Sequence, residues 1–283
     1  MDLLIRLLKN VINALIISAI LSAPVHANQK KSYNNRNNIL ATSYVVQDID
    51  TGEIVTEKNK EEIRSIASIT KLMTAIVVLD AKQDLSEKIV FHKPTGTTSK
   101  LPKGTVVTRA DLLLLSLMSS DNSAAALLAE LYPGGTDAAI KAMNQKAFHL
   151  QMYNSHFSDP TGLDPNNVST ATDLIKLTST AYNYDDIRNF STKSTGKIQV
   201  QGKKKSYFID FKTTNSLVTN THNVLLSKTG WIRISGGCLV MIVKDQGRRL
   251  AVILLNSRNT QTRIRDGALL TEYDNARNYR NFR

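Results

Sequence analysis

The chain has 283 residues and a formal charge of +12, with 36 Lys and Arg against 24 Asp and Glu. With 42% hydrophobic residues it is neither a low-complexity nor a fibrous chain, and its length suits one large domain or two closely packed lobes. A single cysteine, Cys238, excludes an intramolecular disulfide framework, and its place in the apolar run Gly237–Val243 marks it as a buried structural thiol.

Arg6 and Lys9, the apolar Val11–Leu21 and the small residues around Ala27 form the three regions of a secretory signal peptide. The apolar core is short for a membrane span. Residues 1–27 therefore read as a cleaved signal, 28–40 as a polar flexible leader and 41–283 as the folded domain, with a periplasmic location and no stable membrane anchor expected. Ser43–Asp48 and Glu53–Thr56 flank a Gly52 turn and predict a hairpin. Ser65–Thr74 followed by Ala75–Leu79 predicts an apolar helix, and Phe91–Val107 reads as loop and short strand punctuated by Pro94, Gly96, Pro102 and Gly104.

Thr108-Arg-Ala-Asp111 predicts a capping box opening a helix over Leu112–Met118. Ser119–Asn122 then reads as a turn, and helices are expected at Ser123–Leu131, Thr136–Leu150 and Thr170–Tyr182. Residues 108–190 thus form a helical lobe inserted between strand-rich parts. Val224–Ile232, Gly237–Val243 and Arg249–Asn256 predict strands buried on both faces, and Arg263–Arg280 a closing helix.

Partners follow from charge and compartment. The positive charges are scattered apart from Lys203–Lys205, there is no nucleic-acid motif, and an exported chain does not meet nucleic acid. The five histidines, His26, His92, His149, His156 and His222, include no close ligand pair, so no metal or other cofactor is expected.

Three patterns carry chemistry. Ser68 and Lys71 are three residues apart on an apolar helix, which sets an amine beside a hydroxyl; burial of that amine, and a second cation nearby, would lower its pKa enough to make it a base. A second Ser-x-x-Lys, Ser194–Lys197, lies in a polar stretch and is read as a decoy. Ser120-Asp121-Asn122 puts a hydroxyl able to relay a proton to a leaving group, and a carboxamide able to hold a peptide carbonyl, at a junction between helices. Lys228-Thr229-Gly230 lies on a strand: Lys228 supplies the second cation, Thr229 a hydroxyl for a carboxylate, and Gly230 room for close backbone approach.

Their order matches the motif set of penicillin-binding proteins and class A β-lactamases. With Ile66–Ala75, Leu117–Asn122, Phe157–Leu163, Asn167–Ala171 and Lys228–Ile232, the chain resembles the low-molecular-mass penicillin-binding proteins, most closely their serine-type D-alanyl-D-alanine endopeptidase branch (peptidase S11). The resemblance implies an α+β transpeptidase fold, an antiparallel sheet flanked by helices with a helical lobe as one wall of the cleft. It makes Ser68 the nucleophile, Lys71 its base, Ser120 and Asn122 the second wall, Lys228, Thr229 and Gly230 substrate contacts, and the amides of Ser68 and Trp231 the oxyanion hole.

The expected substrates are peptidoglycan stem peptides, with β-lactams as covalent inhibitors. D-alanyl-D-alanine carboxypeptidase activity is the alternative, since the core motifs do not separate the two; the endopeptidase reading rests on the resemblance and on a chain that ends about 50 residues past Lys228-Thr-Gly, without the extra β-domain of the carboxypeptidase branch. A class A β-lactamase would need a glutamate for deacylation, and none occurs between Glu130 and Glu272. A cell-wall protein that only holds stem peptides in the cleft is the non-catalytic alternative.

Overall fold

A computed structural model describes residues 39–201, 205–219 and 223–271. The expected signal peptide, residues 28–38 of the leader, Lys203, Lys204, His222 and the far end of the closing helix lie outside the described residues. Leu40–Thr271 form one compact unit. Its elements in chain order are β1 (Ser43–Asp48), β2 (Ile54–Lys58), β3 (Arg64–Ser65), a 3-10 turn (Ala67–Ile69), α1 (Thr70–Asp80), β4 (Lys88–Val90), β5 (Val106–Thr108), α2 (Arg109–Met118), α3 (Asn122–Glu130) and α4 (Gly135–His149). They continue with β6 (Val168–Ser169), α5 (Ala171–Tyr182), α6 (Asp185–Ser191), β7 (Thr195–Gln201), β8 (Ser206–Lys212), β9 (Val224–Ile232), β10 (Gly236–Asp245), β11 (Arg248–Ser257) and α7 (Thr260–Thr271). None of the described helices is long and apolar enough to cross a membrane.

The class is α+β, as expected. Five strands pair antiparallel in the order β2-β1-β11-β10-β9, which leaves β9 at an edge. Alternation along β10 explains why its sequence is apolar throughout: Cys238, Val240 and Ile242 join the main core, whereas Leu239 and Met241 meet α7 around Gly267 on the opposite face. Buried on both faces, the strand has no position for a polar residue until Lys244.

The helical lobe begins as its capping residues dictate. Thr108 Oγ1 accepts the Asp111 N–H at 3.1 Å while an Asp111 carboxylate oxygen accepts the Thr108 N–H at 2.9 Å, so aspartate completes the box at the position where glutamate is usual. Thr170 caps α5 by accepting the Asp173 N–H at 3.1 Å, while the Asp173 carboxylate accepts from Asn154 N and Ser155 Oγ instead of closing a box. α1 runs through the middle of the core, with every residue from Thr70 to Val78 buried.

Three features depart from the expected elements. The Ser68 region starts as a 3-10 turn and becomes α-helical only at Thr70. Residues three apart still superpose, because a 3-10 turn repeats every three residues. A β7–β8 hairpin and the short α6 follow the lobe. β7 escapes a periodicity reading because only Ile198 and Val200 are buried among Lys and Gln. Ser194–Lys197 runs into β7, where residues three apart lie on opposite faces, so that pair cannot meet.

Two glycines fix the turn before Ser68. A Cβ at Gly162, where φ is +80°, would lie 2.0 Å from the Ala67 carbonyl oxygen. A Cβ at Gly230 would lie 2.9 Å from both Ile66 O and Ser68 N. The loop around Gly162 and strand β9 thus clamp one short backbone stretch from two sides, and neither position tolerates a side chain. Gly162→Ala is expected to destabilise the protein by about 3 kcal/mol or more. Gly104→Ala, at a similar positive φ but in open space, should cost only about 1 kcal/mol. Thermal melts of the two variants beside the parent read both outcomes.

Candidate active site

The site lies where the 3-10 turn, the α2–α3 corner and the free edge of β9 meet. Lys71 in the first turn of α1 is fully buried, and its Nζ donates to Ser68 Oγ at 2.9 Å, Asn122 Oδ1 at 2.8 Å and Thr161 O at 2.5 Å. Three donors meet three acceptors, which satisfies an ammonium. Of those acceptors, only the Ser68 hydroxyl can also donate. When Lys71 loses a proton, the hydrogen bond that reverses is therefore the one to Ser68, and the Ser68 proton then points at the lone pair of Nζ. Burial pushes the Lys71 ammonium down to about 7 against the pull of the Asp159 and Asp121 carboxylates, so this reversal takes place near neutral pH.

Ser120 projects from the corner between α2 and α3 with φ of +60°, a left-handed backbone that glycine adopts more easily. Ser119 N and Asp121 N both return to Leu115 O, and the Asp121 carboxylate caps α3 by accepting Ala124 N–H, so helix ends hold the corner on both sides. Lys228 Nζ donates to Ser120 Oγ and to Thr229 O, both at 2.8 Å. Its ammonium is held well below the ordinary lysine range, first by burial and then by the charges of Lys71 and Arg263. The second cation expected from the sequence is thus in place, but the repulsion bears on Lys228, whereas Lys71 is lowered by burial.

The edge of β9 faces the turn. The Ser227 N–H leaves the sheet to reach Ser191 Oγ at 3.3 Å, and the β9–β10 register runs without a break from Ser227 to Trp231. Two-residue alternation therefore turns the Trp231 N–H outward on the same edge. The carbonyl of that same peptide, Gly230 O, accepts a hydrogen bond from Arg263 Nη1 at 3.0 Å. A guanidinium on the carbonyl polarises the peptide and strengthens its N–H as a donor. Thr229 Oγ1 lies 2.5 Å from Thr214 Oγ1, which orients its hydroxyl, and the Trp231 side chain is exposed.

Ser68, Lys71, Ser120, Asn122, Lys228, Thr229, Gly230 and Trp231 are therefore brought into one cleft. Four further contributors carried no role in the sequence reading. Thr161 supplies the third acceptor to Lys71. Asp159 ties its loop together by accepting the N–H groups of Thr161, Gly162 and Asp164, each at 2.6 Å. Thr214 and Arg263 support β9. The Asp-Pro-Thr-Gly stretch from Asp159 to Gly162 was the one available signal, since its turn residues imply a tight backbone; Arg263 gave none.

Comparison with known proteins follows the same lines. A family described as D-alanyl-D-alanine carboxypeptidase, peptidase S11, matches residues 27–259. The chain is 39% identical over 237 residues to a D-alanyl-D-alanine endopeptidase of Pseudomonas aeruginosa and 40% identical over 238 residues to one of Escherichia coli K12, in each case covering 82% of this chain and 76% of the relative. The Streptomyces K15 DD-transpeptidase superposes with a TM-score of 0.78 at 26% identity, over 84% of this chain and 98% of that one. Penicillin-binding protein D2 of Listeria monocytogenes in its ampicillin-bound form superposes with a TM-score of 0.72 at 26% identity, over 83% and 97%. By this agreement of sequence, fold and motif order, the chain belongs to the peptidase S11 family.

Proposed function

We propose that this protein is a serine DD-peptidase that hydrolyses D-alanyl cross-links in peptidoglycan through an acyl-serine intermediate, working in the periplasm. The observation that carries the reading is the hydrogen-bond set of Lys71, in which Ser68 is the only partner able to return a proton. Ser68 Oγ attacks the D-alanyl carbonyl as its proton passes to neutral Lys71. The oxyanion that forms accepts from the N–H groups of Ser68 and Trp231, the latter strengthened by Arg263. Ser120, held by Lys228, relays that proton from Lys71 to the departing amine, giving up its own hydroxyl proton as it takes the one from Lys71. Asn122 commits its oxygen to Lys71, which leaves its NH₂ to hold a substrate carbonyl, and Thr229 with Lys228 receives a carboxylate. Water then hydrolyses the acyl-serine.

The relatives named as endopeptidases favour cross-link cleavage over release of terminal D-alanine, which remains the alternative among relatives named as carboxypeptidases. β-Lactams enter the same route and stop at the acyl-serine, in keeping with the ampicillin-bound neighbour.

Mass spectrometry of a cross-linked muropeptide dimer is expected to show conversion to monomers by the parent protein and none by Ser68→Ala. Loss of one D-alanine from a pentapeptide with dimers left intact would instead make the protein a carboxypeptidase. Penicillin acylation should rise with pH, reach half its maximum near Lys71's value of about 7 and level off above it, because the neutral amine is the active form. A rate independent of pH between 6 and 8 would remove Lys71 as the base. Ser120→Gly suits the left-handed corner, so its Tm should hold or rise while acylation falls by about a hundredfold or more.

A further inference from the structure

The proton for the departing amine comes through Ser120, so the chain attached to that amine leaves the reacting centre past Ser120. A cleft of about 590 Å³ opens there, lined by Ser99 and Lys100, by Asp210 and Lys212 of β8, and by Ser120 and Asn122. Its volume falls within the ~300–1,000 Å³ of sites that enclose a drug-sized ligand, far more than a single departing alanine fills. Both walls are built. Thr97 Oγ1 lies 2.8 Å from Ser123 Oγ, which ties the loop leading into Lys100 to the first turn of α3. β8 is paired along its whole length with β7.

The charges in this cleft are unequal in their commitments. Asp121 caps α3, and Asp210 lies 3.7 Å from Lys197 on the neighbouring strand. Lys100 and Lys212 are exposed and make no ion pair among the described residues. A terminal alanine ends at its single carboxylate, whereas a peptide continuing from the departing amine carries further carboxylates into the cleft.

We infer that this cleft is a subsite for the departing stem peptide of a cross-link, with Lys100 and Lys212 receiving its carboxylates. The inference rests on the cross-link hydrolysis proposed above and adds a place where cleavage of a cross-link is favoured over release of a terminal residue. Exposed ion pairs contribute modestly, so the effect is one of selectivity.

The test compares the parent with the Lys100→Gln/Lys212→Gln double variant in three assays: dimer hydrolysis, D-alanine release from pentapeptide, and penicillin acylation. The ratio of dimer kcat/KM to penicillin acylation should fall about five- to tenfold in the variant, mainly through a higher KM. A dimer whose departing stem has its carboxylates amidated should cost the parent a similar factor and the variant little more. An unchanged ratio, or an amidation penalty that survives in the variant, would overturn the subsite while leaving the cross-link reading intact. If the parent released D-alanine but left dimers whole, the cross-link reading would fall and the subsite with it. Should the variant lose penicillin acylation altogether, the amidated dimer on the parent alone decides: no penalty there rejects the subsite.

Discussion

A lysine ammonium with no access to water is the constraint around which the protein is arranged. Burying Lys71 is costly unless every donor finds an acceptor, and the three it finds come from three separate pieces of chain: the 3-10 turn, the α2–α3 corner and the loop at Thr161. Satisfying one side chain therefore draws the walls of the cleft together. The same burial that imposes this requirement lowers the proton affinity of Lys71 to near neutrality. Stability and chemistry are two consequences of one desolvated amine.

Local rules are broken where that arrangement needs them to be. Ser120 occupies a left-handed position at a helix end where glycine would be less strained, and the strain is tolerated because caps and returning hydrogen bonds hold the corner on both sides. Ala67 is also left-handed, with φ of +46°, and is pinned between Gly162 and Gly230. Ala67 adjoins Ser68 in the chain, and Ser120 meets Lys228 at 2.8 Å. The long strands β10 and β11 behind them carry their own irregularities at a distance from Lys71, with register shifts at Gly237/Leu239 and Ile242/Val243 and a left-handed Asn256.

Charge is organised differently in the interior and on the surface. Inside, burial lowers the proton affinity of Lys71 and Lys228, so these two amines are the groups able to lose a proton, while the Arg263 guanidinium behind β9 keeps its charge. On the surface the basic residues are dispersed, and several pair with nearby carboxylates, as Arg248 does with Asp48 at 2.6 Å and Lys146 with Asp80 at 2.6 Å. An overall positive charge suits contact with an anionic wall polymer, but it does not shape the site.

Much was legible without coordinates. The period of the apolar residues set the strands at Val224–Ile232 and beyond, the Thr108–Asp111 box set the start of the lobe, and the spacing of Ser68 and Lys71 put them on one face, because these depend on residues close together in the chain. Nothing local could show that Thr161 would accept from Lys71, that Arg263 would hold the carbonyl of the Gly230–Trp231 peptide, or that Ser194–Lys197 would enter a strand that separates its two members. The β7–β8 hairpin, with two buried apolar residues in β7, has too weak a pattern to be read, and yet it makes one wall of the cleft beyond Ser120. Motif chemistry is written in short spacings, so the sequence by itself determined which groups are the candidates for reaction. Their protonation depends on desolvation and on partners 90 residues away, as with Lys71 and Thr161, and only the tertiary structure decided those.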